Sequence, residues 1–339
     1  MDLRWVKGNC KASARSMDAP IASPLPDTLE SRRSLLDRLG DFSLRWVSAL
    51  AAVGVVALIV LIIYEVIKQS RAALSAFGIG FLWDQTWNAV TNQYGALDFL
   101  VATLYITGLA VLLAGPVAIA IGLYLSELAP DGVRGVVGSL VEMLAAIPSV
   151  VLGLWGIIIL GPVVHNEFGP WLNDVLGWTP FFASRPISGS TMFTAVLVLA
   201  IMIVPITASI SRDLFLQVPT DIKEGAVGLG LTRWEMVQGV ILPFTRGGLV
   251  SAVLLGAGRA LGEAIAVTQV IGTTAHLTAN LFETGDTLGS RIAAQYQAAA
   301  SNLQVASLFY LGLILLVISL IVNFLALLIV RRYEIAERV

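Results

Sequence analysis

Six long apolar runs dominate the chain, near residues 46–67, 100–125, 137–160, 192–211, 249–272 and 307–330. At 1.5 Å rise per residue each is long enough to cross about 30 Å of hydrocarbon as a helix. The pattern predicts an all-α membrane protein with six transmembrane helices across residues 46–332. Pro148 and Pro205 fall inside the third and fourth runs. They predict kinks rather than breaks, because neighbouring helices can satisfy the carbonyls a proline frees. Residues 1–45 carry Pro20, Pro24 and Pro26, scattered charges and no apolar period. They are expected to form a disordered extension. Residues 333–339 make a short polar tail.

Between the fourth and fifth runs the pattern changes to a polar helix, turn and helix over 219–243. Pro219 and Thr220 can open a first short helix carrying Glu224 and Ala226, and Gly230, which tolerates positive φ, can end it. Thr232 and Glu235 have the T-x-x-E spacing of a capping box for a second helix. Val240, Ile241 and Leu242 carry that helix to Pro243 and the next span. A membrane protein that keeps such a loop presents a surface to a soluble partner.

Composition agrees with the membrane reading and sharpens it. Apolar residues make up 57% and charged residues 13%, against about 25% charged in soluble domains. The 21 Lys and Arg are unevenly placed: eight lie in the N-terminal segment, one in 126–136, four in 212–248 and three in the tail. The opposite loops hold two after the first span, one in 161–191 and one in 273–306, and Arg259 lies inside the fifth run. Basic residues near span ends are retained in the cytoplasm, so both termini and the 219–243 loop are expected there. The run from Val47 to Ile63 is longer than a cleavable signal's core and reads as a signal anchor. Cys10 is the only cysteine, which argues against disulfide or metal-cluster chemistry. Trp83, Trp87, Trp171, Trp178, Phe181 and Phe182 read as anchors at the lipid interface, and His165 and His276 as surface residues.

Candidate chemistry within the membrane centres on GAGRALGEAIAV, 256–267. On a continuous helix Arg259 and Glu263 share one face near mid-membrane. An arginine at the centre of a span costs about 3 kcal/mol, which requires a buried, partnered or aqueous position. Arg before Glu is the weaker helical order for a pair, and Gly256, Gly258, Ala260 and Gly262 leave room for another helix or a solute. A guanidinium presents a planar fork of donors suited to an oxyanion such as phosphate, with the carboxylate competing for it. A structural ion pair that fixes only packing is the alternative. Glu142 is expected at the cytoplasmic interface, and Asn323 in an interhelical hydrogen bond.

The spacing from Glu224 to Pro243 resembles the EAA loop of ABC-importer permeases, with Gly225 in place of the second alanine. R-A-L-G-E with the following apolar run, ATLYITGLAVLLAGPVAIAIGLYLSELAP at 102–130 and EMLAAIPSVVLGLWG at 142–156 are similar to the C-type permease subunit of phosphate-specific (Pst) importers. The likeness covers about residues 95–330. The resemblance implies the type I importer permease fold and translocation of inorganic phosphate. It implies a loop, with Glu224, Ala226, Gly230, Thr232, Glu235, Leu242 and Pro243, that docks on an ATPase. Arg259 and Glu263 would line the phosphate route; Ala264 stands where threonine is usual. The implied partners are a homologous A-type permease, two cytoplasmic ATPase subunits, an extracytoplasmic phosphate-binding protein and the lipid bilayer, with no nucleic acid. The chain has no G-x-x-x-x-G-K-[ST] stretch, so no cofactor is expected on it and ATP would be used by a partner. A permease for sulfate or molybdate stays open on the residues alone. An ion-coupled carrier would call for interrupted helices in matching positions, and an intramembrane serine protease for a base at the depth of its nucleophile.

Overall fold

The computed structural model describes residues 35–336, apart from Ala275. Among the described residues six helices are long and apolar enough to cross a membrane: Phe42–Leu82, Leu97–Leu128, Ser149–Leu176, Met192–Leu216, Arg233–Leu261 and Asn302–Ile329. The expected number of spans is present. Residues 1–34 of the proposed extension, with Cys10, lie outside the described residues. Helix α1, Leu35–Phe77, starts before the apolar run. By contacts the chain divides into a unit ending at Ile62 and a second from Ile63 onward. In the first unit the side chains from Phe42 to Leu61 are exposed. The second unit carries the rest of the architecture.

At its centre is α7, Met192–Leu216, capped by Thr191, whose hydroxyl accepts the Thr194 N–H. It lies against α2, Leu97–Leu123, through close approach of small residues. A Cβ added to Gly122 would sit 2.8 Å from the Ser211 Cβ and 2.9 Å from the Arg212 nitrogen. Ile106, Ala110, Ala114, Val196, Leu199 and Ile203 form the core between them. Among the predicted interfacial aromatics, Trp83 and Trp178 are exposed, whereas Trp87 and Phe182 pack against buried clusters. His165 binds the Pro186 carbonyl at 3.0 Å.

The third span departs from the predicted run. Residues 131–145 form a separate amphipathic helix, α3 (Asp131–Ala145), followed by a break. The span itself begins at Ser149 with α4, Ser149–Trp155. It continues through the short helices α5, Gly161–Val163, and α6, Gly169–Leu176. Pro148 is the residue ahead of this span and not a kink within it. Proline disfavours helical conformation in its predecessor, so the chain stops at Ala146–Ile147 and restarts. Glu142, on α3, binds Arg212 at the end of α7 at 3.0 Å.

Proline also explains four wide helical turns. The π turns Tyr124–Leu128, Gly156–Leu160, Val164–Phe168 and Val237–Ile241 each end two residues before a proline: Pro130, Pro162, Pro170 and Pro243. A proline ring clashes with the carbonyl four residues back and donates no hydrogen bond. Widening the preceding turn to i→i+5 relieves the clash without ending the helix. At Pro130 the chain leaves the helix altogether, with Ala129 extended.

Candidate functional site

The loop after α7 folds as its spacing requires. Helix α8, Thr220–Gly228, follows Pro219 as N-cap. Gly230 takes φ +84°, a left-handed conformation open to glycine. Helix α9, Arg233–Met236, begins with a complete capping box: the Thr232 side chain accepts from the Glu235 N–H, and the Glu235 carboxylate accepts the Thr232 N–H at 2.8 Å. From α9 the chain runs through the π turn into α10, Leu242–Leu261, with Pro243 in its first turn. Ala226 is buried and Leu242 half-buried against the cluster of Phe215, Val218, Met236 and Ile241. Glu224, Thr232 and Glu235 face outward, joined by exposed Val227, Leu229 and Trp234.

One residue ahead of Glu224, Lys223 makes a contact that spacing did not single out. Its ammonium lies 2.5 Å from the Glu127 carboxylate at the end of the second span and donates to the Phe215 carbonyl at 3.1 Å. Both side chains are largely covered, 18% and 12% exposed. Beside this pair a surface depression of about 370 Å³ is bordered by Leu128, Glu224, Val227, Arg233 and Met236. The loop thus presents apolar side chains next to a recess and is pinned to α2 and α7 behind it.

The second candidate region differs from the single continuous helix of the sequence reading. α10 stops at Leu261, residues 262–264 are non-helical, and α11 resumes at Ile265–Ile271. Arg259 is in the last turn of α10, and Glu263 lies in the break. They do not share a helical face, and no ion pair joins them among the described residues. Instead the Glu263 carboxylate accepts the Ala266 N–H at 3.1 Å, capping the start of α11. Two glycines make the break inexpensive: Gly258 lies in the turn before it and Gly262 opens it, and glycine weakens a helix by about 1 kcal/mol relative to alanine. An interrupted span is therefore present, although the run of apolar letters had concealed it.

The depth of Arg259 follows from its neighbours. Gly256, one turn earlier, abuts Ile203 and Thr207, which flank Pro205 in the middle of α7. Arg259 is exposed, on the same face of α10 as exposed Ser251 and Leu255 at four-residue spacing. Ser251 and Leu255 border a depression shared with Asn323, Ala326 and Leu327 of the last helix, and Arg259 stays exposed among the described residues. Asn323 on α13, Asn302–Ala336, lies near Gly258, and it makes no hydrogen bond among the described residues.

A further element returns to the break. After α11 the chain turns at Gly272, φ +90°, and residues 273–287 lead back to α12, Leu288–Gln295. Gly289, in its first turn, stands against the break: an added Cβ would be 3.2 Å from the Ala264 Cβ and from the Glu263 carbonyl oxygen. In the intervening loop His276 and Glu283 bond at 2.8 Å. Burial there tends to raise the Glu283 carboxyl. Hydrogen bonds from His276, Thr278 and Asn280 outweigh it and hold the group below its ordinary range.

Residues 118–335 match the family of binding-protein-dependent transport system inner membrane components. The chain belongs to this family. It is a multi-pass inner-membrane transport subunit. It is 42% identical over 287 residues to the phosphate transport system permease protein PstC of Pasteurella multocida, covering 84% of this chain and 89% of that one. To the protein of the same name in Haemophilus influenzae it is 41% identical over 291 residues, covering 85% and 92%. A solved bacterial alginate ABC transporter, in complex with an alginate-bound periplasmic protein, shares the fold. It has TM-score 0.56 at 16% identity, covering 86% of this chain and 96% of that one.

Proposed function

We propose that the chain is the permease subunit through which an ABC importer moves inorganic phosphate across the cytoplasmic membrane. The observation that carries this reading is Arg259: a charged residue exposed, among the described residues, on a membrane-spanning helix and level with the middle of α7. Left in hydrocarbon it would cost about 3 kcal/mol. On a face shared with a second permease subunit it borders an aqueous route, where its donor fork suits an oxyanion. The naming of the relatives as phosphate transport permeases supports phosphate as that anion. A homologous A-type subunit would cover the face of Ser251, Leu255 and Arg259.

Glu263 is held near the route by the α11 N–H it accepts and competes with the anion for the arginine when the route is empty. Contact with Arg259 is then transient, and phosphate is not trapped. The loop bearing Glu224, Ala226 and Gly230 docks through Val227, Leu229 and Trp234 on one of two cytoplasmic ATPase subunits. Those subunits use the ATP, and their closure moves α8. An extracytoplasmic phosphate-binding protein delivers the solute at the opposite face. The distribution of Lys and Arg supports a cytoplasmic location for the loop and both termini.

ATP-dependent uptake of labelled phosphate and sulfate into proteoliposomes holding the complete importer tests this reading. Uptake of phosphate in preference to sulfate is expected. Preferential uptake of sulfate would keep the permease assignment and reject phosphate.

A further inference from the structure

A buried charge pair lies at the start of α12. Asp286 Oδ2 is 2.7 Å from Arg291 Nε, with the side chains 0% and 7% exposed. The two atoms are close but off the hydrogen-bonding direction, so the attraction between them is chiefly coulombic. Ser290 Oγ donates to the other Asp286 oxygen. The Arg291 guanidinium carbon stands 4.7 Å from the Phe99 ring centroid and 5.7 Å from that of Trp87. Trp87 Nε1 donates to Gln295 at 2.8 Å, and the Leu288 N–H donates to Thr103 at 2.9 Å. Both ends of α12 are therefore tied down.

Stability is a poor reason for such a pair, because well-packed apolar residues of similar volume stabilise a fold as well or better. What the pair does determine is the placement of the four residues between its members. Gly289 is one of them, close against Ala264 and the Glu263 carbonyl, where an added Cβ would be tight at 3.2 Å. Ser290 is another, and its carbonyl accepts from Thr268 of α11 at 3.4 Å. Fixing 286–291 fixes how α12 leans on the helix break and on α11 beyond it.

We infer that Asp286 and Arg291 are positioning residues for the translocation route: the pair holds the first turn of α12 as a wedge against residues 263–264. The wedge keeps Glu263 on the α11 N-terminus and Arg259 open to the anion. This inference rests on the proposed role of Arg259 and Glu263 in phosphate passage. Asp286→Asn leaves a buried guanidinium without its counter-charge, and the wedge loosens.

The test uses the complete importer in proteoliposomes with Cys10→Ser and Gly262→Cys. Residue 262 is exposed, and an added Cβ has no neighbour closer than 3.8 Å. A charged thiol reagent is applied from the side opposite the α8 loop, with phosphate absent, and phosphate uptake is measured separately without the Gly262→Cys change. In the importer residue 262 continues the face assigned to the partner permease, so its labelling reports opening; Asp286→Asn is expected to raise the labelling rate about tenfold and to lower uptake with the ATPase subunits still bound. A charge-free variant, Asp286→Leu with Arg291→Met, is expected to assemble normally yet keep the fast labelling and the low uptake. Labelling unchanged in Asp286→Asn would overturn the inference. So would full recovery of labelling and uptake in the charge-free variant, since the pair would then serve folding alone. Because labelling requires no transported phosphate, the wedge can fail this test while the phosphate assignment stands, and the reverse.

Discussion

Lys223 Nζ and Glu127 Oε1 lie 2.5 Å apart, joining the polar helix of the α7–α10 loop to the end of the second span. A force applied to α8 from below therefore reaches α2 through a charged contact as well as through packing. On the proposed function the exposed face of α8 serves docking and this covered face serves transmission.

Replacing Lys223 with Met should separate the two roles. It leaves Glu127 mostly covered and unpaired, at a cost of about 1–3 kcal/mol. ATPase subunits should still bind through Val227, Leu229 and Trp234, while phosphate uptake per ATP hydrolysed falls. Adding Glu127→Leu should restore part of the coupling, because neighbouring residues are non-additive. The ratio of uptake to hydrolysis in the two variants is the measurement.

Thr232→Ala removes the side-chain half of the capping box at α9. N-cap substitutions of this kind cost about 0.5–2 kcal/mol, and the effect should be local. Hydrogen exchange should accelerate in 232–236 and leave α7 unchanged. The maximal uptake rate should fall with the phosphate concentration for half-maximal uptake unaltered, because the change lies on the drive side and not in the route.

Gly256→Ala tests the packing that sets the depth of Arg259. The new Cβ would lie 2.7 Å from Ile203 Cγ2 and 2.8 Å from Thr207 Oγ1. Both neighbours are β-branched helical residues with little rotamer freedom. Overpacking costs about 1–3 kcal/mol, visible as a lower midpoint in thermal unfolding of the purified complex. Gly225→Ala, where an added Cβ meets nothing within 4 Å, should raise the midpoint or leave it unchanged.

The 273–287 loop should loosen in acid. The hydrogen bonds that hold the Glu283 carboxyl below its ordinary range stabilise the loop only while the group is ionised. For a depressed carboxyl this contribution is present above its unfolded-state pKa and lost as pH falls through the folded one. A spin label at Leu277 should gain mobility as pH falls below the ordinary carboxylate range, and Glu283→Gln should remove the transition.

Much of this was legible because it is local. The six spans follow from apolar length, the cap of α9 from the Thr232 and Glu235 spacing, and the turn at Gly230 from its freedom to take positive φ. The break after Leu261 was not legible: residues 249–272 are apolar apart from Ser251, Arg259, Glu263, Thr268 and Gln269, and length alone cannot distinguish one helix from two. The later start of the third span had a local signal in Pro148, but a kink within a helix and a new beginning are written with the same residue. The pairs Lys223–Glu127 and Asp286–Arg291 were invisible for different reasons. The first joins residues far apart in the chain. The second depends on burial by Phe99 and Trp87, which no pattern around residue 286 announces.

The central claim is that Arg259 contacts phosphate in transit. Its most direct test is ATP-dependent phosphate uptake by the reconstituted importer with Arg259→Gln, alongside co-purification of the ATPase and partner permease subunits. The account predicts that uptake is lost while the complex assembles in full. Uptake at the wild-type rate, or loss of assembly ahead of loss of transport, would contradict it and make Arg259 a packing residue.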